Sequence, residues 1–352
     1  MTAHLETPPS INAKKRSWLM PAFLILAGVG LFCYFKYFSA VVPASLPNDG
    51  MIKIPTGSTK EQVLNQLNKE GLVSDANAVS FWMERLDYKA RAGRFKLKSG
   101  MSAYALVRHL RNGEQSAVKI VLNNEKSPAI VAGKVGKIIE ADSLALLNAF
   151  NDPVLLDSLG LKPETLMSIF IPDTYESFWN TSAKGFLNKM LKEHKRFWNA
   201  QRLDKAKSLH LSPEQVYTMA SIVEGESNFA DEQPRVAGAY LNRLERGMKL
   251  QADPTVQFAL MQVEKTNQFR RLFNKDYQVA HPYNTYQITG LPPGPIGMAS
   301  QNSLDAVLNR EVHNYVFFVA KPDGSNRHNF AETYEAHLVN VKTFQNYLAN
   351  RK

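Results

Sequence analysis

Apolar side chains gather first in one uninterrupted run, Ser17 to Phe35, nineteen residues without a charge. As a helix rising 1.5 Å per residue, such a run covers roughly 28 Å, close to the hydrocarbon thickness of a bilayer. Lys36 interrupts it, and apolar character resumes through Tyr37, Phe38, Val41 and Val42. Lys14, Lys15 and Arg16 stand directly before it, the flank expected on a cytoplasmic side. The pattern predicts a cytoplasmic tail over 1–16, a transmembrane anchor over 17–40 and an extracytoplasmic body beyond. A cleaved signal peptide is the rival, because Val42-Pro43-Ala44 loosely resembles a cleavage site. The run is longer than a usual signal core.

Beyond a short stalk, Pro43 to Gly50, the periodicities shorten. Ile52 and Ile54 alternate as a strand, and Val63, Leu64 and Leu67 follow at helical spacing up to Gly71. Asp75 to Leu86 predicts a second helix, Arg94 to Leu97 a second strand, and Ser102 caps a helix through Leu110 that ends at Gly113. Val118 to Val121 completes β-α-α-β-α-β, a small α+β module over 50–125. A weakly patterned helical connection covers 126–165, and a larger mixed α+β body occupies 166–352. In that body Tyr315 to Val319, the turn Pro322-Asp323-Gly324 and Asn329-Phe330 predict a hairpin that packs behind the central helix, with a cleft wall as the alternative.

The clearest helix signal is Ser212-Pro213-Glu214-Gln215, an N-cap, a proline at the first position and a capping box. An apolar stripe, Val216, Met219, Ala220, Ile222 and Val223, leads to Glu224 and Glu226. At 100° per residue these two carboxylates point about 200° apart and do not form a pair. Glu226 stacks over Ile222 and Val223, near the stripe, where desolvation raises a carboxyl pKa and suits it to general acid work. A salt-bridged glutamate at a fraying helix end fits the same pattern. Gly225 costs about 1 kcal/mol in a helix, so either the helix stops there or something approaches its backbone closely.

Composition narrows the chemistry. The 352 residues carry 42 Lys and Arg against 32 Asp and Glu, a net charge of +10, which calls for an anionic partner. Thirteen of those basic residues, against eight acidic ones, lie between Asp49 and Lys126. An extracytoplasmic body makes that partner lipid headgroups or wall polymer rather than nucleic acid. One cysteine, Cys33, excludes an intrachain disulfide and a cysteine-built zinc site. Neither a metal nor a cofactor is expected. Short loops mixing rings with amides and hydroxyls suit a sugar cleft: Leu250-Gln251-Ala252-Asp253-Pro254-Thr255, Tyr283-Asn284-Thr285-Tyr286, and Gly290 to Ile296.

Those loops, with Phe170-Ile171-Pro172-Asp173-Thr174-Tyr175, Ala220 to Glu226 and Asn242-Arg243-Leu244, resemble the endolytic murein transglycosylases (MltG or YceG-like proteins) in order and spacing across about residues 50–345. The resemblance implies a LysM-like glycan-binding module followed by a catalytic domain that cleaves nascent peptidoglycan strands internally. It also implies single-pass residence in the plasma (inner) membrane, and cell-wall synthases as further candidate partners. Its catalytic glutamate corresponds to Glu226, as the helical wheel also has it. Glu224, Gln251, Asp253, Tyr283, Asn284, Thr285 and Tyr286 are candidates for holding the sugar. The expected reaction breaks the MurNAc–GlcNAc β-1,4 bond and closes a 1,6-anhydro ring. Two rivals stand beside it: a hydrolase using Glu226 with Asp253, and a wall-binding scaffold without activity. The family's usual Glu-Gly pairs are replaced by Met167-Ser168 and by Asn123-Asn124-Glu125-Lys126, which puts inter-domain contacts in question.

Overall fold

A computed structural model of the chain describes residues 19–350 apart from 267 and 269. The basic tail, with Ser17 and Trp18, lies outside the described residues. Helix α1, Leu19–Phe38, follows the apolar run and leaves Phe23, Leu26 and Leu31 exposed. Among the described residues no helix is long and apolar enough to cross a membrane. Of the anchor expected over 17–40, α1 covers 19–38.

Two compact units follow. The first runs to Ala117 and includes Phe178–Asn180. Strand β1 (Met51–Ile54) pairs antiparallel with β2 (Gly93–Lys96), setting Ile52 opposite Phe95. Helices α2 (Lys60–Lys69), α3 (Ala76–Arg85) and α4 (Ala103–Asn112) begin at the side-chain caps Thr59, Asp75 and Ser102. Their apolar faces close over Ile52, Ile54, Val63, Leu67 and Phe95. The expected stalk, Pro43 to Gly50, is not free chain: Leu46 packs on this core, and the Gly50 carbonyl accepts the Leu97 N–H at 2.8 Å. Val41 and Val42 are buried in this core, and both donate their N–H groups to the Met101 carbonyl, at 2.9 and 3.1 Å.

The second unit begins at Val118. Strand β3 (Val118–Leu122) forms where the alternation placed it, but its partner is β4 (Asp173–Ser177), antiparallel, and not the β1–β2 pair. Ile120 and Leu122 point into a core with Phe150, Phe170 and Phe186. The stretch expected as a connection folds into α5 (Pro128–Val135), α6 (Ser143–Asn151) and α7 (Pro153–Ser158), whose Val131, Leu146 and Leu156 join that same core.

Helices α8 (Ala183–Phe197) and α9 (Ala200–Ser208) lead to α10 (Pro213–Glu226), with its capping box at Ser212 and Gln215. Residues 216 to 223 of α10 are buried on every side, so the helix is the axis of the unit rather than a half-exposed face. Around it lie α11 (Gln233–Glu245), α12 (Asp253–Glu264) and α13 (Gln301–Leu308). The hairpin β5 (Phe317–Ala320) and β6 (His328–Ala331) and the final helix α14 (Tyr334–Asn350) complete the unit.

Candidate active site

Helix α10 is held along its length before it delivers Glu226. Tyr217, fully buried, donates its hydroxyl to the Phe170 carbonyl at 2.6 Å and accepts the Ala299 N–H at 3.1 Å. Ser221 accepts the N–H of Ile296 at 3.1 Å, which ties the proline-rich loop to the helix. At its C-terminal end the close approach is to α12. A Cβ on Gly225 would stand 2.7 Å from Pro254 Cβ, so only glycine lets the two helices meet there. Pro254 is the second residue of α12, and its neighbour Asp253 is thereby brought beside Glu226.

Just past the helix, Ser227 donates its hydroxyl to Glu232 at 3.0 Å, and Gln233 donates to the Ser227 carbonyl at 2.9 Å. Glu232 also accepts the backbone N–H of His328 at 2.9 Å, linking α10, α11 and β6. Burial works against the charge on Glu232, yet these bonds hold its pKa below the usual range. The last turn of α10 is thus fixed from three sides.

Glu226 lies at the junction of two open lobes. One, about 550 Å³, includes Asn124, Lys126, Asn228, Gln257, Arg271 and Tyr277 in its walls; the other, about 340 Å³, includes Tyr240, Gln251, Tyr286, Phe317, Phe318 and His328. Glu226 and Asp253 line both. Burial of the Glu226 carboxyl pushes its pKa up to about 7. The Tyr240 hydroxyl, donated to Oε1 at 2.5 Å, and the Arg243 charge pull downward, while Asp253 adds to the rise. Tyr240 holds one oxygen, which leaves Oε2 for the cleft. Asp253 is engaged differently: its two oxygens accept the hydroxyls of Tyr286, at 2.7 Å, and Tyr277, at 3.3 Å. A larger cavity, about 1020 Å³ with a mixed apolar and polar wall, lies elsewhere in the unit and contains neither carboxylate.

The sequence matches the YceG-like family over residues 52–343. The chain belongs to that family. It is 26% identical over 315 residues to the endolytic murein transglycosylase of Bacillus subtilis, covering 84% of this chain and 85% of that one. It is 25% identical over 361 residues to the protein of the same name from Streptococcus pneumoniae (strain D39), covering 93% of this chain and 65% of that protein. The crystal structure of a YceG-like protein from Listeria monocytogenes superposes with a TM-score of 0.55 at 26% identity, covering 82% of this chain and 97% of the other.

Within this YceG-like site the expected residues separate into two groups. Glu226, Asp253, Gln251 and Tyr286 face the cleft. Gln251 does so from a left-handed backbone, φ 51°, with its side-chain oxygen 3.3 Å from Arg243. Asn284 and Thr285 are fully buried and do not reach it. Asn284 donates to the Tyr277 and Val279 carbonyls at 3.1 and 2.8 Å and accepts the Tyr286 N–H at 3.0 Å. Thr285 accepts the Ala252 N–H at 2.9 Å and bonds Thr255 Oγ1 at 2.8 Å. Both shape the loop that presents Tyr286. Tyr283 packs on Phe258, ring centres 4.7 Å apart, and lines neither lobe.

Glu224 borders the cleft, but its oxygens are occupied. It accepts from Asn124 at 3.2 Å, from the Ser300 N–H at 3.3 Å, and from the hydroxyls of Ser300 and Ser303, at the start of α13. The hairpin, expected behind the central helix, instead walls the second lobe. Phe318 meets Tyr240 edge-on at 5.5 Å.

Some cleft residues were missed. A tyrosine inside the apolar stripe of α11 is a legible signal, since a buried phenol hydroxyl needs a partner; Tyr240 is that residue. Arg243 stands nearby, buried, donating to the carbonyls of Val316 at 2.6 Å and Leu250 at 2.7 Å. Asn124 and Lys126, a hundred residues upstream, gave no local sign. Among the described residues no cluster of His, Cys, Asp or Glu could hold a metal ion.

Proposed function

We propose that this chain is a lytic transglycosylase of peptidoglycan that cuts the MurNAc–GlcNAc β-1,4 bond. The observation that carries the reading is Glu226, a carboxyl with pKa near 7 where two open lobes meet. The names of the B. subtilis and S. pneumoniae relatives support the substrate class.

Protonated Glu226 gives its proton to the leaving glycosidic oxygen as the C1–O bond breaks. The cationic ring is stabilised by its own N-acetyl group and by the field of Asp253. The Glu226 carboxylate, steadied at Oε1 by Tyr240, then takes the proton of the C6 hydroxyl, whose oxygen attacks C1. A 1,6-anhydro ring closes, no water is consumed, and Glu226 returns to its protonated form. One carboxyl performs both proton transfers.

The apolar helix α1, with its exposed Phe and Leu side chains, supports membrane anchoring through the N-terminal segment, with the body on the extracytoplasmic side. The basic α+β unit supports a glycan-binding role for the module.

Digestion of isolated glycan strands by the full-length protein, followed by mass spectrometry, tests the reading. Strands ending in 1,6-anhydroMurNAc are expected, and Glu226→Gln is expected to abolish them. Asp253, lining both lobes beside Glu226, favours a second reading as a hydrolase. Reducing MurNAc ends that vanish in Asp253→Asn would replace the first reading with that one.

A further inference from the structure

The two lobes differ in the charge they offer a ligand. Arg243, in the Tyr240 lobe, spends its donors on the carbonyls of Val316, Lys249 and Leu250 and on Gln251. In the other lobe Lys126 and Arg271 line the wall, and among the described residues neither forms an ion pair. Lys126 is built into place. Its Nζ donates to Asn124 at 3.2 Å, and its stem lies along Gly297, where a Cβ would come 3.2 Å from Lys126 Cδ. The preceding residue is pinned twice, by the Met298 N–H on the Glu125 carbonyl at 2.9 Å and by Lys134 on its carboxylate at 2.6 Å.

Burial lowers the Lys126 pKa, and the opposing pull comes from Glu224, whose oxygens are already taken by Ser300, Ser303 and Asn124. A half-buried ammonium without its own counter-ion gains from an incoming anion. Arg270 next door is fully used by Glu264 and Asp276. Arg271 is exposed and turns toward the lobe.

We propose that Lys126 and Arg271 bind carboxylates carried by the glycan strand, and so set a preference for anionic over neutral β-1,4-linked N-acetylated glycan. This rests on the peptidoglycan reading above. The carboxylate has two sources, the lactyl group of MurNAc and the attached peptide. Arg supplies a two-pronged donor and Lys a point charge, a combination suited to carboxylates held at different angles.

The experiment uses the full-length protein and two strand preparations, one bearing peptides and one stripped of them to leave free lactyl groups. Each is assayed with its carboxylates intact and after conversion to amides. The parent protein is expected to show kcat/KM about tenfold higher on charged strands, the difference made by one good charged contact. Lys126→Met with Arg271→Gln is expected to bring that ratio within about twofold of one. Lys126→Arg, and removal of two exposed charges elsewhere by Lys184→Met with Lys192→Met, are expected to keep it. A preference confined to peptide-bearing strands assigns the carboxylate to the peptide, one confined to stripped strands assigns it to the lactyl group, and one shown by both preparations shows that the pair accepts either. Equal rates on charged and amidated strands in the parent, or a preference that survives in the double variant or in Arg271→Gln and Lys126→Met singly, overturn the inference. No cleavage of any strand by the parent overturns the transglycosylase reading itself.

Discussion

A carboxyl that titrates near 7 ties activity and stability to the same proton. In the proposed reaction Glu226 acts in its protonated form, so kcat is expected to fall as pH rises through about 7. Tyr240→Phe removes a hydrogen bond that favours the carboxylate, worth about 1 kcal/mol, and should move that fall upward by roughly 0.7 pH unit. A pH–rate profile of the two proteins checks the direction; a downward move would contradict the assignment. Stability follows the same sign. The folded pKa is raised from 4.5 to about 7, so the proton's contribution is complete below about 4.5 and is lost as pH rises through about 7. Glu226→Gln is therefore expected to stabilise the fold by on the order of 3 kcal/mol at pH 8 and by almost nothing at pH 4. Denaturant titrations at both values measure it. Of the candidate residues, Glu226 could be placed at the cleft from sequence because its position over Ile222 and Val223 is a property of one helix. Asn284 and Thr285 were misjudged because a polar residue that braces a loop and one that grips a ligand have the same composition. Only burial separates them.

At the scale of elements, the meeting of α10 and α12 decides the site. Gly225→Ala gains about 1 kcal/mol of helix propensity, but its methyl would lie 2.7 Å from Pro254. The clash is expected to win, with a net loss of about 1–2 kcal/mol and a lower kcat, because Asp253 shifts relative to Glu226. Urea midpoints and initial rates of the variant test both parts. Asn284→Ala leaves the Val279 carbonyl and the Tyr286 N–H unpartnered, the Tyr277 carbonyl keeping Gln287 as a donor, and a cost of about 2–4 kcal/mol is expected in the same titration. The elements themselves were largely readable: caps at Asp75, Ser102 and Ser212 start helices where the pattern put them. Their partners were less so. Alternation in Val118–Leu122 specifies a strand and its inward face, but nothing local specifies β4, more than fifty residues on, as its neighbour. The hairpin shows the same limit. Its strands were expected, and its service as a cleft wall through Phe317 and Phe318 was the less favoured alternative to core packing.

For the molecule as a whole, the N-terminal segment and the first unit are joined with almost no slack. Deleting residues through Phe38 is expected to move the protein from the membrane fraction to the soluble one with its fold intact. Deleting through Val42 should in addition cost about 2–4 kcal/mol, because Val41 and Val42 are each only 2% exposed in the core. Fractionation and thermal melts of the two truncations separate the effects. Ser39 and Ala40 alone intervene between the end of α1 and those valines, and Ala40 already bridges to Ser102. A lipid-held α1 would thus carry the basic unit on a bolted joint, not on a leash, and strands passing close to the bilayer would meet it at one fixed height.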